Sequence, residues 1–138
     1  MTTTYRPLPQ FDDPLYAPYF AGLRRREIVV QQCQSCGHLQ WPPRERCFAC
    51  HGDQLGWQPV SQRGEVYTYM VAHRAFDPWF VDRLPYGLVV ADLGDGIRLM
   101  APYADTDVDD LECGVKVRAF FERVSDDVTL LQWERDPG

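Results

Sequence analysis

The stretch CQSCGHLQWPPRERCFAC, running from Cys33 to Cys50, decides how this chain is read. It carries two Cys-x-x-Cys knuckles, Cys33/Cys36 and Cys47/Cys50, with ten residues between them. Each knuckle aims two sulfurs at one point, and the intervening residues bring the chain back to deliver the second pair. Four thiolates so arranged match a tetrahedral metal site. Gly37 follows the first knuckle, where such a turn favours positive φ. Pro42-Pro43 stiffens the connection. Little apolar material surrounds the cysteines, so a metal would supply much of the local folding energy.

One structural zinc per chain is the expected occupant, and iron on the same four thiolates is its chemical rival. Four protein ligands leave no open position, which argues against a catalytic metal. Two disulfides would need an oxidising compartment, and no basic-then-apolar leader opens the chain. A redox pair should open a helix in a βαβ setting, and none is visible. His38 and His51 flank the knuckles and are read as surface or supporting residues. Cys113, in Glu112-Cys113-Gly114, is read as a buried structural thiol.

Working outward, the chain has 138 residues, which allows one domain or one with a small appendage. Its apolar share of 45% and charged share of 25% are those of a globular protein, not a disordered one. No apolar run approaches the roughly 20 residues that span a bilayer. The expectation is a cytoplasmic protein with no membrane association. The net charge of −6, with Lys116 the only lysine beside thirteen arginines, lacks the clustered positive footprint that nucleic acid requires.

Residues 1–12 read as a polar arm. Pro14 to Arg26 reads as an amphipathic helix, with Tyr16, Tyr19, Phe20 and Leu23 on its apolar side. Asp12 or Asp13 is the candidate cap, and Pro18 starts or breaks the helix. Its aromatic side either packs on its own domain or docks a partner. Glu27 to Gln32 reads as a strand entering the first knuckle.

Beyond Cys50 the pattern becomes β. Gly64–Arg74, Leu88–Leu93, Ile97–Ala101, Val115–Val124 and Val128–Glu134 read as five strands, with Gly94-Asp95-Gly96 as a hairpin turn. Asp105 to Asp110 reads as an acidic loop. Five short strands suggest a small closed barrel, most simply an OB-fold. The expected fold is therefore mainly β. Residues 1–26 would be the arm and helix, 27–60 a rubredoxin-like ribbon and 61–138 the OB-fold. Phe76, Trp79, Phe80 and Tyr86 crowd the loop 76–87, which must fold back or meet something. Tyr67, Tyr69 and Phe120 are assigned to the barrel core. A nucleic-acid-binding module, with these three stacking bases, is the alternative that the charge disfavours.

No nucleophile motif, metal-protease motif, phosphate loop or dinucleotide fingerprint is present. His73, Arg74 and Asp77 beside the aromatic loop are the one candidate constellation, and no catalytic residue is assigned.

The ordered set EIVVQQ, CQSCG, WPPRERCFAC, Trp57, GEVYTY, LPYGLVVADLGDGIRLMAPY and CGVKVRAFFERV resembles the DUF35 family across residues 14–134. That family joins a rubredoxin-like zinc ribbon to an OB-fold and is found beside acyl-CoA enzymes. All four of its metal ligands are retained. Arg26 stands where many relatives have glycine, and little is expected to follow from this. The resemblance implies a non-catalytic accessory subunit of a thiolase-superfamily protein, such as a thiolase, an acyltransferase or a lipid-transfer-protein-like steroid side-chain aldolase. Such a subunit braces the complex, as a two-plus-two assembly where the catalytic partner is a dimer, and helps form the acyl-CoA channel. Candidate partner or CoA contacts are Tyr16, Tyr19, Phe20, Arg44, Arg74, Trp79 and Phe80, with Arg46 and Arg83 as further basic candidates.

Overall fold

The computed structural model describes residues 5–138, so the first four residues of the expected arm lie outside the described residues. The chain runs through one helix, a three-stranded sheet and a five-stranded sheet. Helix α1 spans Ala17–Arg24, shorter than the periodicity suggested, with Pro18 in its first turn. Proline fits there because the first-turn N–H groups have no partner in the helix. Asp13 does not cap it. Its carboxylate accepts from the Leu15 N–H at 3.0 Å and shapes the turn before the helix, while the N-cap is Tyr16, which makes no side-chain cap bond.

The small sheet has the order β2-β1-β3, with β1 at Val29–Cys33, β2 at Leu39–Gln40 and β3 at Leu55–Pro59. Strands β2 and β3 were not expected from sequence, since two and five residues around a metal knuckle carry no clear alternation. Both pair antiparallel with β1; β2 lies between the two knuckles and β3 follows the second.

The large sheet has the order β6-β5-β4-β7-β8. Its strands are β4 (Arg63–Ala72), β5 (Tyr86–Gly94), β6 (Ile97–Pro102), β7 (Lys116–Arg123) and β8 (Thr129–Arg135). All neighbours are antiparallel, and a parallel bridge between Tyr103 and Trp133 nearly closes the sheet into the expected OB barrel. At the β4 entry, Gly64 packs against β5 so tightly that a Cβ would lie 2.3 Å from the Asp92 carbonyl oxygen. No other residue fits there without moving backbone.

Trp133 is fully buried and its indole N–H donates to the Leu99 carbonyl at 3.1 Å. Around it lie Val66, Val89, Ala91, Leu99, Val117 and Leu131, the inward residues of the alternating strands. Tyr19, Phe20, Leu23 and Ile28 belong to the same cluster, so α1 and the start of the ribbon share one core with the barrel.

Three core assignments are corrected. Tyr67, Tyr69 and Phe120 are 50%, 39% and 41% exposed. A register shift between Val66 and Thr68 turns Tyr67 outward, where the Arg98 guanidinium stacks on it at 3.9 Å. Phe120 lies on the outer face because Ala119 and Phe121 are opposite Trp133 and Leu131. Cys113 is also exposed and not the buried thiol expected, because it sits in the turn before β7 rather than on the strand.

Candidate functional site

Two sites emerge, one in the ribbon and one beside the barrel. In the ribbon, Cys33 ends β1 and the hydrogen bond from Cys33 N–H to the His38 carbonyl closes the first knuckle at 2.9 Å. Cys47 N–H to the Gly52 carbonyl does the same for the second at 2.8 Å. The knuckles match each other: Gly37 at φ 80° follows the first, and His51 at φ 65° follows the second. The four sulfurs lie within 4.8 Å of one another, with Cys33–Cys50 and Cys36–Cys47 each at 3.6 Å. A tetrahedral ion with metal–sulfur bonds of about 2.3 Å separates its sulfurs by about 3.8 Å, so the cluster fits a four-thiolate metal site.

The Cys36 N–H, aimed at Cys33 Sγ from 3.5 Å, helps draw the Cys33 thiol down to about 6. The Cys50 backbone N–H leads the lowering at Cys47. Donors aimed at sulfur favour the thiolate that a metal needs; at Cys36 the His38 backbone N–H acts the same way, but burial and the neighbouring cysteine sulfurs outweigh it and push that thiol up to about 12.

A buried polar pair holds the loop between the knuckles. Gln31 accepts from the Arg44 N–H at 2.8 Å and donates to the Arg44 carbonyl at 2.9 Å. Gln40 donates to Gln31 at 2.9 Å and accepts from the Phe48 N–H at 2.9 Å. The backbone that presents Cys47 is thus fixed from β1 and β2, and burying these amides is tolerable because their groups are paired.

The second site is a cavity of about 660 Å³ between the N-terminal arm, the aromatic loop and the outer face of β7 and β8. The loop holds a 3-10 turn, Pro78–Arg83, which Asp77 caps by accepting from the Trp79 N–H at 2.9 Å. Trp79 meets Phe80 edge-on at 4.9 Å, and Phe80 stacks on Tyr86 at 4.8 Å. The Arg83 guanidinium lies 3.3 Å from the Trp79 ring centre, and that of Arg6 lies 4.7 Å from it. Arg6 is itself fixed by two 2.8 Å bonds to Glu122. Those bonds, led by the Arg6 hydrogen bond, hold the Glu122 carboxyl below its usual range. The loop therefore does fold back, though Phe76 stays 80% exposed.

The sequence-derived candidates scatter. Cys33, Cys36, Cys47 and Cys50 come together. Trp79, Phe80 and Arg83 come together at the cavity. Tyr19 and Phe20 face their own core and offer little surface, while Tyr16 is half-buried against Trp41 at 6.2 Å. Arg44 lies on the ribbon surface over Phe48, Arg46 bonds to the His51 carbonyl, and Arg74 sits over Phe76; none lines the cavity. Arg6, Glu122, Leu130 and Gln132, which do line it, were missed from sequence. Nothing local marks Arg6 and Glu122 as a pair 116 positions apart.

Comparison with known proteins follows this division of the chain. Residues 20–56 match the model described as the ChsH2 rubredoxin-like zinc ribbon domain, and residues 57–122 match the ChsH2 C-terminal OB-fold domain. A DUF35 domain-containing scaffold protein of Methanocaldococcus jannaschii is 32% identical over 101 residues, covering 72% of this chain and 71% of the relative. The chain belongs to the DUF35 family.

A solved structure titled as an Ltp2-ChsH2(DUF35) aldolase superimposes with a TM-score of 0.81 at 27% identity, covering 94% of this chain and 98% of that one. A Thermomonospora curvata protein named "Probable enoyl-CoA hydratase alpha subunit" is 29% identical over 112 residues. This DUF35 chain spans 81% of its own length in that match but only 34% of the relative. Some of its relatives are thus named as subunits of an enoyl-CoA hydratase and of a benzoylsuccinyl-CoA thiolase, and one solved relative as part of an aldolase. Among the described residues no helix is long and apolar enough to cross a membrane.

Proposed function

We propose that this DUF35 chain is a non-catalytic, zinc-bearing accessory subunit of a thiolase-superfamily acyl-CoA enzyme, working in the cytoplasm. The observation that carries this reading is the match over nearly the whole of both chains to the DUF35 component of an aldolase. A fold alone would not carry it.

Zinc would be held by Cys33, Cys36, Cys47 and Cys50. A closed four-thiolate shell supplies folding energy and no reactive position. The chain's own residues then do two things. Gln31 and Gln40 hold the inter-knuckle loop. Trp41, with Tyr19 4.6 Å away, ties that loop to α1 and so to the barrel. The ribbon is thereby a rigid arm on the barrel, suited to bracing a second protein.

The partner would meet the exposed aromatic and basic groups. Phe76 and Val81 project from the loop, with Trp79 and Phe80 half-buried behind them. Arg44 and Arg74 carry the candidate charge contacts. The loop face helps to form the channel for the acyl-CoA, and a two-plus-two assembly follows if the catalytic protein is itself a dimer. The standard interface of about 800 Å² per partner is within reach of such a surface.

Turnover assays test the reading. The purified chain alone should turn over no acyl-CoA, and a thiolase-superfamily protein copurified with it should be active and lose activity when the chain is removed. Acyl-CoA turnover by the isolated chain would overturn the non-catalytic assignment.

A further inference from the structure

We propose that the cavity beside the barrel is a binding site for a small amphipathic monoanion: an apolar ring or short chain carrying one carboxylate. The site belongs to this chain and stands whether or not a partner binds.

Size and lining come first. At about 660 Å³ the cavity falls inside the range of roughly 300–1,000 Å³ in which small-molecule sites occur. Phe80, Tyr86, Pro102, Tyr103 and Leu130 give it apolar walls. Those walls would take an apolar body out of water.

Charge decides the rest. Five charged groups reach the cavity: Arg6, Arg83, Asp82, Asp105 and Glu122. Glu122 is engaged by both Arg6 nitrogens and by the Gln132 amide. Asp105 accepts from the Arg135 N–H at 3.3 Å. Arg83 is different. It lies in none of the ion pairs among the described residues. Among the described residues its one side-chain hydrogen bond runs from Nη1 to the Trp79 carbonyl at 2.5 Å, and it reaches Glu122 only through its charge. Stacking on Trp79 and that single bond hold its plane, while the other guanidinium N–H groups stay available. A guanidinium fixed by an indole face, with donors unspent, is suited to a planar carboxylate.

The same groups disfavour a polyanion. Three carboxylates against two guanidinia leave the rim one charge negative. Asp82, next to Arg83 in the chain and unpaired among the described residues, would repel a phosphate cluster most. The surplus negative charge works against any anion, and only a single carboxylate seated directly on the Arg83 donors offsets it; the further charges of a polyanion would meet the acids unpaired.

Calorimetry on the metal-loaded full chain tests this with naphthoate, its neutral analogue naphthalenemethanol, and coenzyme A. The expected result is saturable one-to-one naphthoate binding, with the neutral analogue at least about tenfold weaker, the size of one lost charge-assisted bond. Arg83→Gln should weaken naphthoate by a similar factor, and Asp82→Asn should tighten it. Leu130→Trp, which fills the cavity, should abolish binding. Overturning results are no saturable naphthoate binding at millimolar concentration, equal binding of acid and alcohol, or unchanged affinity in Arg83→Gln. Binding of coenzyme A at this site without naphthoate binding would also overturn it.

Discussion

The indole of Trp41 lies 4.6 Å from the ring of Tyr19, inclined at 49°. Trp41 belongs to the loop between the cysteine knuckles, and Tyr19 to the helix that shares the barrel core. With a metal in the ribbon, this contact would couple metal loading to barrel integrity. Trp41→Ala should cost about 2–3 kcal/mol of unfolding free energy, somewhat below the loss for a fully buried tryptophan because Trp41 is half-exposed. Denaturant titration of the two forms at matched metal content measures it, and a change under half a kcal/mol would uncouple the two parts.

Loss of a metal ligand should act on the ribbon first. Cys36→Ser is expected to lower metal content well below one ion per chain and to unfold the ribbon, leaving the barrel partly formed. Elemental analysis with far-UV circular dichroism reads both effects, and the metal recovered from the native form separates zinc from iron. Retention of one ion per chain in the variant would contradict the four-thiolate assignment.

Besides Asp95 in the β5–β6 turn, two side chains occupy backbone that suits glycine. His51 at φ 65° repeats the conformation of Gly37 in the other knuckle, and Arg26 at φ 63° follows the α1 terminus. Left-handed backbone costs a non-glycine residue about 1–2 kcal/mol, partly offset by the greater freedom of glycine when unfolded. His51→Gly and Arg26→Gly should each raise stability by about 0.5–1 kcal/mol. Thermal melts of both variants would show it.

Glu122 gives a pH signature. Because Arg6 lowers its folded value, the pair stabilises fully above the ordinary glutamate range near pH about 4.3 and fades as pH falls through the lower folded value. The stability gap between the native chain and Glu122→Gln should therefore be widest near neutral pH and shrink in acid. A gap that grows on acidification would reverse the sign and remove the Arg6 pairing as its cause.

Trp79→Ala should weaken partner or substrate engagement more than it destabilises the chain, since Trp79 is only half-buried and lies outside the core cluster. Comparing binding loss with unfolding free energy decides it. A stability loss of several kcal/mol with normal binding would make the loop ordinary core.

The cysteine cluster was legible because knuckle spacing alone constrains where four sulfurs meet. The barrel strands were legible because inward residues alternate over five or more positions. What stayed hidden depended on register or distance. One irregularity between Val66 and Thr68 turned Tyr67 outward and breaks the period that placed it inside. The apolar side of α1 was plain, but its period could not say whether the barrel or a partner covers it; the shared core of Tyr19, Phe20 and Trp133 does. Arg6 looked like any arm residue until folding brought it to Glu122.

The most direct test of the accessory-subunit reading is affinity purification of the tagged chain from its native lysate, with mass spectrometry and quantification of what accompanies it. The account predicts a thiolase-superfamily protein in near-stoichiometric amount, retained across a range of salt. Recovery of the chain alone, or with nucleic acid released by salt, would contradict it.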